Sequence, residues 1–171
     1  MTTPLPSLPR ITPKMLMLID YDSCSGCQSC VLACSMTKTG VFSPTRSRVT
    51  IKKWEDQCLN IPVICEHCDA PPCASVCPTT AITKDPETGI VKINQDLCTG
   101  CKACAAACIF HPDTVHFMDD KAVLCDLCDG NPQCSRICQQ KAIAYLPTTI
   151  AMQHKKRRLA ATRQKALQRP R

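Results

Sequence analysis

The chain has 171 residues, 17 of them cysteine, but only one Trp, two Tyr and three Phe. So little aromatic bulk in a chain of one-domain size excludes an ordinary large hydrophobic core and leaves cysteine chemistry as the main source of cohesion. The formal charge of +7 does not point to nucleic acid: residues 155–171 hold eight Lys or Arg and no acid, and the remainder carries 13 basic against 14 acidic residues.

Residues 1–14 contain four prolines (Pro4, Pro6, Pro9, Pro13) and are expected to form an extended arm. They show no basic stretch followed by an apolar one, and no twin arginine. The expectation is therefore a protein of the reducing cytoplasm, whose cysteines stay thiols available to metal rather than forming disulfides. The apolar run 15–19 is far too short to span a bilayer. Residues 15–20 read as a short strand and 41–54 as extended structure, with Pro44 breaking any helix and Val49 and Ile51 alternating with Thr50 and Lys52.

Sixteen of the cysteines form a fourfold repeat. The groups are Cys24, Cys27, Cys30, Cys34; Cys65, Cys68, Cys73, Cys77; Cys98, Cys101, Cys104, Cys108; and Cys125, Cys128, Cys134, Cys138. Between the second and third groups, 81–83 and 90–93 read as strands joined by a turn over 85–89. After the third group, 114–117 and 122–124 repeat that pattern, and 141–146 is the last strand. Residues 148–171 are rich in Ala, Leu, Gln, Lys and Arg, and predict a basic helix ending near Pro170. The fold class expected is α+β, small and loop-rich.

The spacing carries the chemistry. A cubane cluster offers four iron corners, each needing one thiolate, and C-x2-C-x2-C-x3-C aims three thiolates at one cubane while the fourth reaches a second. Groups one and three have this spacing in full. Groups two and four lengthen the second interval, with Pro71, Pro72 and Pro132 in the insertions. Structural zinc sites use two ligand pairs separated by a long loop and do not explain a triplet plus one, four times over. Sixteen thiols with none replaced predict four [4Fe–4S] clusters, which would add a charge of about −8 to the body of the chain. Gly26 and Gly100 stand where bare backbone can approach a cluster.

Among other residues, Lys102 and Lys121 are candidates for raising a cluster potential, and Asp126 and Asp129 for lowering one, or else all four are solvated. His67 is either a donor to a cluster sulfur or an exposed loop histidine. Cys58, outside the four groups, reads as a buried thiol. His67, His111, His116 and His154 form no nucleophile–base arrangement, and no phosphate-cradling or flavin motif appears, so no catalytic residue is assigned.

Groups two and three with their hairpin, CPTTAITKDPETGIVKINQDLCTGCKACAAAC, resemble a bacterial two-cluster ferredoxin. Residues 15–146 as a whole resemble the four-cluster iron–sulfur subunits of molybdenum- and tungsten-enzyme complexes of the DMSO-reductase type. The stretch CSGCQSCVLACSMTKTGVFSPTRSRVTI, through Gly40, Phe42, Pro44, Ser47 and Arg48, is most similar to the small iron–sulfur subunits of tungsten aldehyde oxidoreductases. The resemblance implies two ferredoxin-like halves with crossed ligation, an inner one over residues 60–112 and an outer one from 15–59 plus 113–146, flanked by the arm 1–14 and the tail 147–171. Cluster 1 would be held by Cys24, Cys27, Cys30 and Cys138, and cluster 2 by Cys65, Cys68, Cys73 and Cys108. Cluster 3 would be held by Cys77, Cys98, Cys101 and Cys104, and cluster 4 by Cys34, Cys125, Cys128 and Cys134. Proline follows Cys77 but not Cys34, Cys108 or Cys138, a departure from the family's habit. The resemblance implies an electron-transfer subunit serving a tungsten- or molybdenum-pterin catalytic subunit, with a flavin-containing subunit or a ferredoxin as redox partner. A free, diffusible polyferredoxin is the alternative. The linear cluster count adds head-to-tail self-association as an expectation.

Overall fold

The computed structural model describes residues 14–167; the expected arm over 1–13 lies outside them. The chain divides into two compact units, one over residues 17–145 and one formed by residues up to 16 together with those from 146 onward. All seventeen cysteines belong to the first.

In chain order the elements are β1 (Met15–Ile19), α1 (Ser29–Thr39), β2 (Thr50–Trp54), β3 (Leu59–Val63), α2 (Pro72–Ser75), β4 (Ile82–Lys84), β5 (Val91–Ile93), α3 (Ala103–Ala106), β6 (His116–Met118), β7 (Lys121–Val123), α4 (Gln133–Ile137), β8 (Ile143–Pro147) and α5 (Thr148–Leu167). The strands make four two-stranded sheets, with β1 paired to β8 and β2–β3, β4–β5 and β6–β7 as antiparallel hairpins. This small mixed architecture of short hairpins and short helices agrees with the expected fold class.

Several boundaries shift for local reasons. Residues 41–54 are not extended throughout: Pro44 opens a 3₁₀ turn over Pro44–Arg46, with its fixed φ at the first helical position, and the strand starts only at Thr50. Pro112 likewise opens a turn through Thr114, so the next strand starts at His116. Strand β3 was not expected from sequence, because Pro62 interrupts its apolar run. It pairs through its whole length with β2, Thr50 opposite Val63 and Trp54 opposite Leu59.

Two apolar clusters organise the unit. One joins Met17 of β1, Val31 of α1, Val49, Ile64, Ile90, Leu127 and Ile143 of β8 with Cys30, Cys34, Cys125 and Cys134. The other joins Ile82, Val91, Val115, Ala122 and Leu124 with Cys104. Cys65 packs against both. Sulfur therefore takes the place that aromatic side chains hold in other small cores.

The second unit contains α5. The Thr148 N–H and hydroxyl both donate to the Lys14 carbonyl, at 2.8 and 2.6 Å. The helix is strongly basic, and its His154 and residues 155–157 are exposed. Among the described residues no helix is long and apolar enough to cross a membrane.

Candidate iron–sulfur centre

Each cysteine group begins on a loop that reverses tightly, and the backbone shows how. Gly26, His67, Gly100 and Leu127, each the residue before the second cysteine of its group, all have positive φ (69°, 49°, 68° and 54°). The left-handed residue turns the loop so that neighbouring sulfurs face one side. The third cysteine of each group then enters a helix: Cys30 in α1, Cys73 in α2, Cys104 in α3 and Cys134 in α4.

The donor sets implied by the resemblance come together in space. Cys24, Cys27, Cys30 and Cys138 line one cavity of about 170 Å³, walled by Ile51, Pro62, Ile137 and Ile143. Cys65, Cys68, Cys73 and Cys108 line a second with Pro71, Pro72, Val91 and Leu124. Cys77, Cys98, Cys101 and Cys104 line a third with Ile82, Ile93 and Ala122. In the last set Cys34, Cys125 and Cys134 are buried in one apolar cluster, and the Cys134 thiol is influenced by both Cys34 and Cys128. Every set combines three sulfurs from one segment with one from another.

Burial also sets the protonation of these thiols. Burial pushes Cys30, Cys65 and Cys134 up to about 12, and pushes Cys125 up as well. A thiol so desolvated does not ionise alone, whereas a coordinating metal deprotonates it outright. Among the described residues no three Cys, His, Asp or Glu converge closely enough to hold a single ion. The donor chemistry, sixteen thiols in sets of three plus one, fits a cubane better than mononuclear zinc.

Packing orders the sets. Cys30 of set 1 shares one cluster with Cys34, Cys125 and Cys134 of set 4, and Cys65 of set 2 packs against that cluster. Cys65 and Cys73 also pack against the cluster that holds Cys104 of set 3. Set 1 therefore adjoins set 4, set 4 adjoins set 2, and set 2 adjoins set 3.

Of the charges singled out in the sequence, half-buried Asp126 is the one that two cations hold. Its carboxylate pairs with Lys38 Nζ at 2.7 Å and Arg48 Nη1 at 2.6 Å. Burial opposes its ionisation, but these cations hold the carboxyl below the usual range. Asp129 pairs with Lys92 in the open at 3.2 Å. Lys102 Nζ lies 5.7 Å from the centre of the Phe117 ring, and Lys121 Nζ donates to the Gln95 carbonyl at 2.6 Å. Sequence reasoning did not bring Lys38 and Arg48 to this site, because each is far from Asp126 along the chain.

Two expectations are corrected. Cys58 is exposed, because it sits in left-handed backbone (φ 50°) at the β2–β3 tip, where no core is available. His67 is no exposed loop residue: its Nδ1 accepts the Val91 N–H at 3.0 Å, burial pushes the imidazole down to about 4, and its Nε2 is buried without a partner. A neutral ring accepting at Nδ1 carries its proton on Nε2.

The signature of the 4Fe–4S dicluster domain matches residues 56–145, more than half of the chain. The chain is 35% identical over 131 residues to the aliphatic sulfonate oxidoreductase, polyferredoxin-like subunit, of Pyrococcus furiosus, covering 77% of this chain and 75% of the relative. It is 34% identical to the thiosulfate reductase electron transfer subunit PhsB of Salmonella typhi, covering 80% and 77%. It is 32% identical to the NADH-dependent phenylglyoxylate dehydrogenase subunit beta of Aromatoleum evansii, but spans only 29% of that longer protein. The chain belongs to the 4Fe–4S dicluster ferredoxin-like family.

Proposed function

From this membership we propose that the chain is a non-catalytic electron-transfer subunit of an oxidoreductase complex, carrying four [4Fe–4S] clusters in the order 1–4–2–3. The observation that carries the reading is the gathering of sixteen cysteines into four sets, each adjoining the next. The four sets are the ligands, as numbered above. With cluster-bound iron in each, electrons pass along the row while the polypeptide insulates, positions the sulfurs and excludes water. Cys27 and Cys101 are the exposed ligands, and they belong to the two end sets, where an electron would enter or leave.

A docked subunit is favoured over a free carrier because the first relatives are named as subunits of oxidoreductases. The finer assignment, to a tungsten- or molybdenum-pterin catalytic partner of aldehyde-oxidoreductase type, rests on the resemblance of residues 24–51. A flavin-containing subunit or a ferredoxin would stand at the other end of the row, and a cytoplasmic location is part of the same proposal.

Anaerobic purification of the tagged chain tests this directly. The expected result is about sixteen iron per chain, absorption near about 400 nm that bleaches on reduction, and a stoichiometric catalytic partner. Stoichiometric zinc, or a colourless and redox-silent preparation, would overturn it.

A further inference from the structure

Set 4 differs from the other three in having two cations paired on one carboxylate of its own loop. Asp126 lies between two of its cysteines, and Asp126 Oδ1 accepts the Cys128 N–H at 3.0 Å. Two cations converge on that one carboxylate. Lys38 comes from α1, one turn beyond Cys34. Arg48 also gives its backbone N–H to Cys34 Sγ at 3.3 Å, while its Nε is buried without an acceptor. The triad therefore carries one net positive charge on the loop between Cys125 and Cys128.

Among the described residues the other sets have no such pair, and at set 2 an acid, Glu66, lines the cavity. No charged side chain lines the cavity of set 1. At set 2, Lys84 Nζ donates to the Cys68 carbonyl at 2.9 Å and is matched by the exposed Asp69 at 3.0 Å. At set 3, Lys102 lines the cavity as a single exposed cation with its Nζ over the Phe117 ring, and no carboxylate gathers a second one there.

We propose that Lys38 and Arg48 form a cationic clamp on the Asp126 loop that raises the reduction potential of the centre held by Cys34, Cys125, Cys128 and Cys134. This rests on the reading that those four cysteines hold a cluster. Reduction places one more negative charge on an already anionic, buried centre. Burial opposes that step, and fixed positive charge nearby assists it. Set 4 stands second in the row, flanked by sets 1 and 2, so a raised potential makes it the position where an arriving electron rests before moving on. Lys38 and Arg48 are tuning residues that act through the loop and through space, and neither is a ligand.

The test is a potentiometric titration of the full chain, with reduced clusters followed by electron paramagnetic resonance and iron measured in each sample. Arg48→Gln and Lys38→Met are expected to retain iron and to move the midpoint of one and the same centre downward. Asp126→Asn, which removes the compensating anion, is expected to move that centre upward. Arg48→Lys keeps the charge and should leave the midpoint near that of the wild type. The proposal is overturned by unchanged midpoints, by shifts of the same sign in all three charge-altering variants, or by shifts spread over all centres. It is also overturned if Arg48→Gln and Arg48→Lys both lose iron, since Arg48 would then be structural. A wild-type chain lacking iron would remove the underlying reading instead, and is told apart by that measurement alone.

Discussion

Groups one and three reach the same backbone turn as groups two and four by different means. In the regular runs a glycine supplies the positive φ, at Gly26 and Gly100. In the lengthened runs His67 and Leu127 hold it, at a conformational cost of about 1–2 kcal/mol each. Tertiary contacts compensate: His67 Nδ1 ties its loop to Val91 of β5, and Leu127 is buried in the first core cluster at 5% exposure. At this position the regular loops use glycine and the lengthened ones a side chain held by packing or a hydrogen bond, so they should fail under different mutations.

The largest expected effect is at Gly100. A methyl group there would run into the Asp120 backbone carbonyl while the residue sits at φ 68°. Backbone cannot swing aside as a side chain can, so Gly100→Ala should open the third cavity and lower iron by about a quarter, one cubane of four, read by iron analysis against an intact wild type. Full iron retention would mean that the Asp120 carbonyl is no obstacle to a side chain at this turn.

Leu127 sharpens the other side of the comparison. Leu127→Ala should cost about 3 kcal/mol in apparent stability, followed as loss of cluster absorption with denaturant. At an ordinary position glycine would be worse than alanine by a further ~1 kcal/mol. Here the backbone is left-handed, so Leu127→Gly should be no worse than Leu127→Ala. A Gly variant clearly weaker than the Ala variant would show that no strain resides at this loop.

His67 tests the same idea through a hydrogen bond. His67→Ala leaves the Val91 N–H without its acceptor and should cost about 2 kcal/mol, while His67→Asn, which tolerates left-handed backbone and keeps a side-chain acceptor, should recover part of that. Equal losses in both variants, measured by the same denaturation, would place the importance of His67 elsewhere.

What was legible in the sequence follows the same division. Spacing alone predicted the donor chemistry and the hairpin between groups two and three, because ligand geometry and a turn such as Asp85–Gly89 are local. The crossed grouping came from a resemblance, since no local rule brings Cys138 to Cys24 or Cys34 to Cys125. Strand β3 was missed because Pro62 hides it, yet its pairing with β2 supplies the full register opposite. The exposure of Cys58 and the choice between the two readings of His67 share one reason for being illegible: both depend on what lies across from a left-handed residue, which sequence does not display. The Lys38–Asp126–Arg48 triad joins segments about 80 residues apart and leaves no sequence signal.

Gly26 carries the smallest effect and the most informative one. Its φ of 69° nearly equals that of Gly100, so the intrinsic cost of alanine is the same, about 1 kcal/mol. What differs is the obstacle. A methyl group at Gly26 would meet the Asn60 side-chain amide rather than backbone, and that amide holds only a long contact to the Cys24 carbonyl at 3.5 Å. Asn60 can rotate away, so Gly26→Ala should keep all four clusters and lose little more than the conformational cost. Pairing it with Asn60→Ala separates the two contributions: if the clash matters, the double variant is more stable than the sum of the single losses predicts. Strict additivity would leave backbone conformation as the whole effect at Gly26. It would also identify the immovable Asp120 carbonyl as what makes the third group less tolerant than the first.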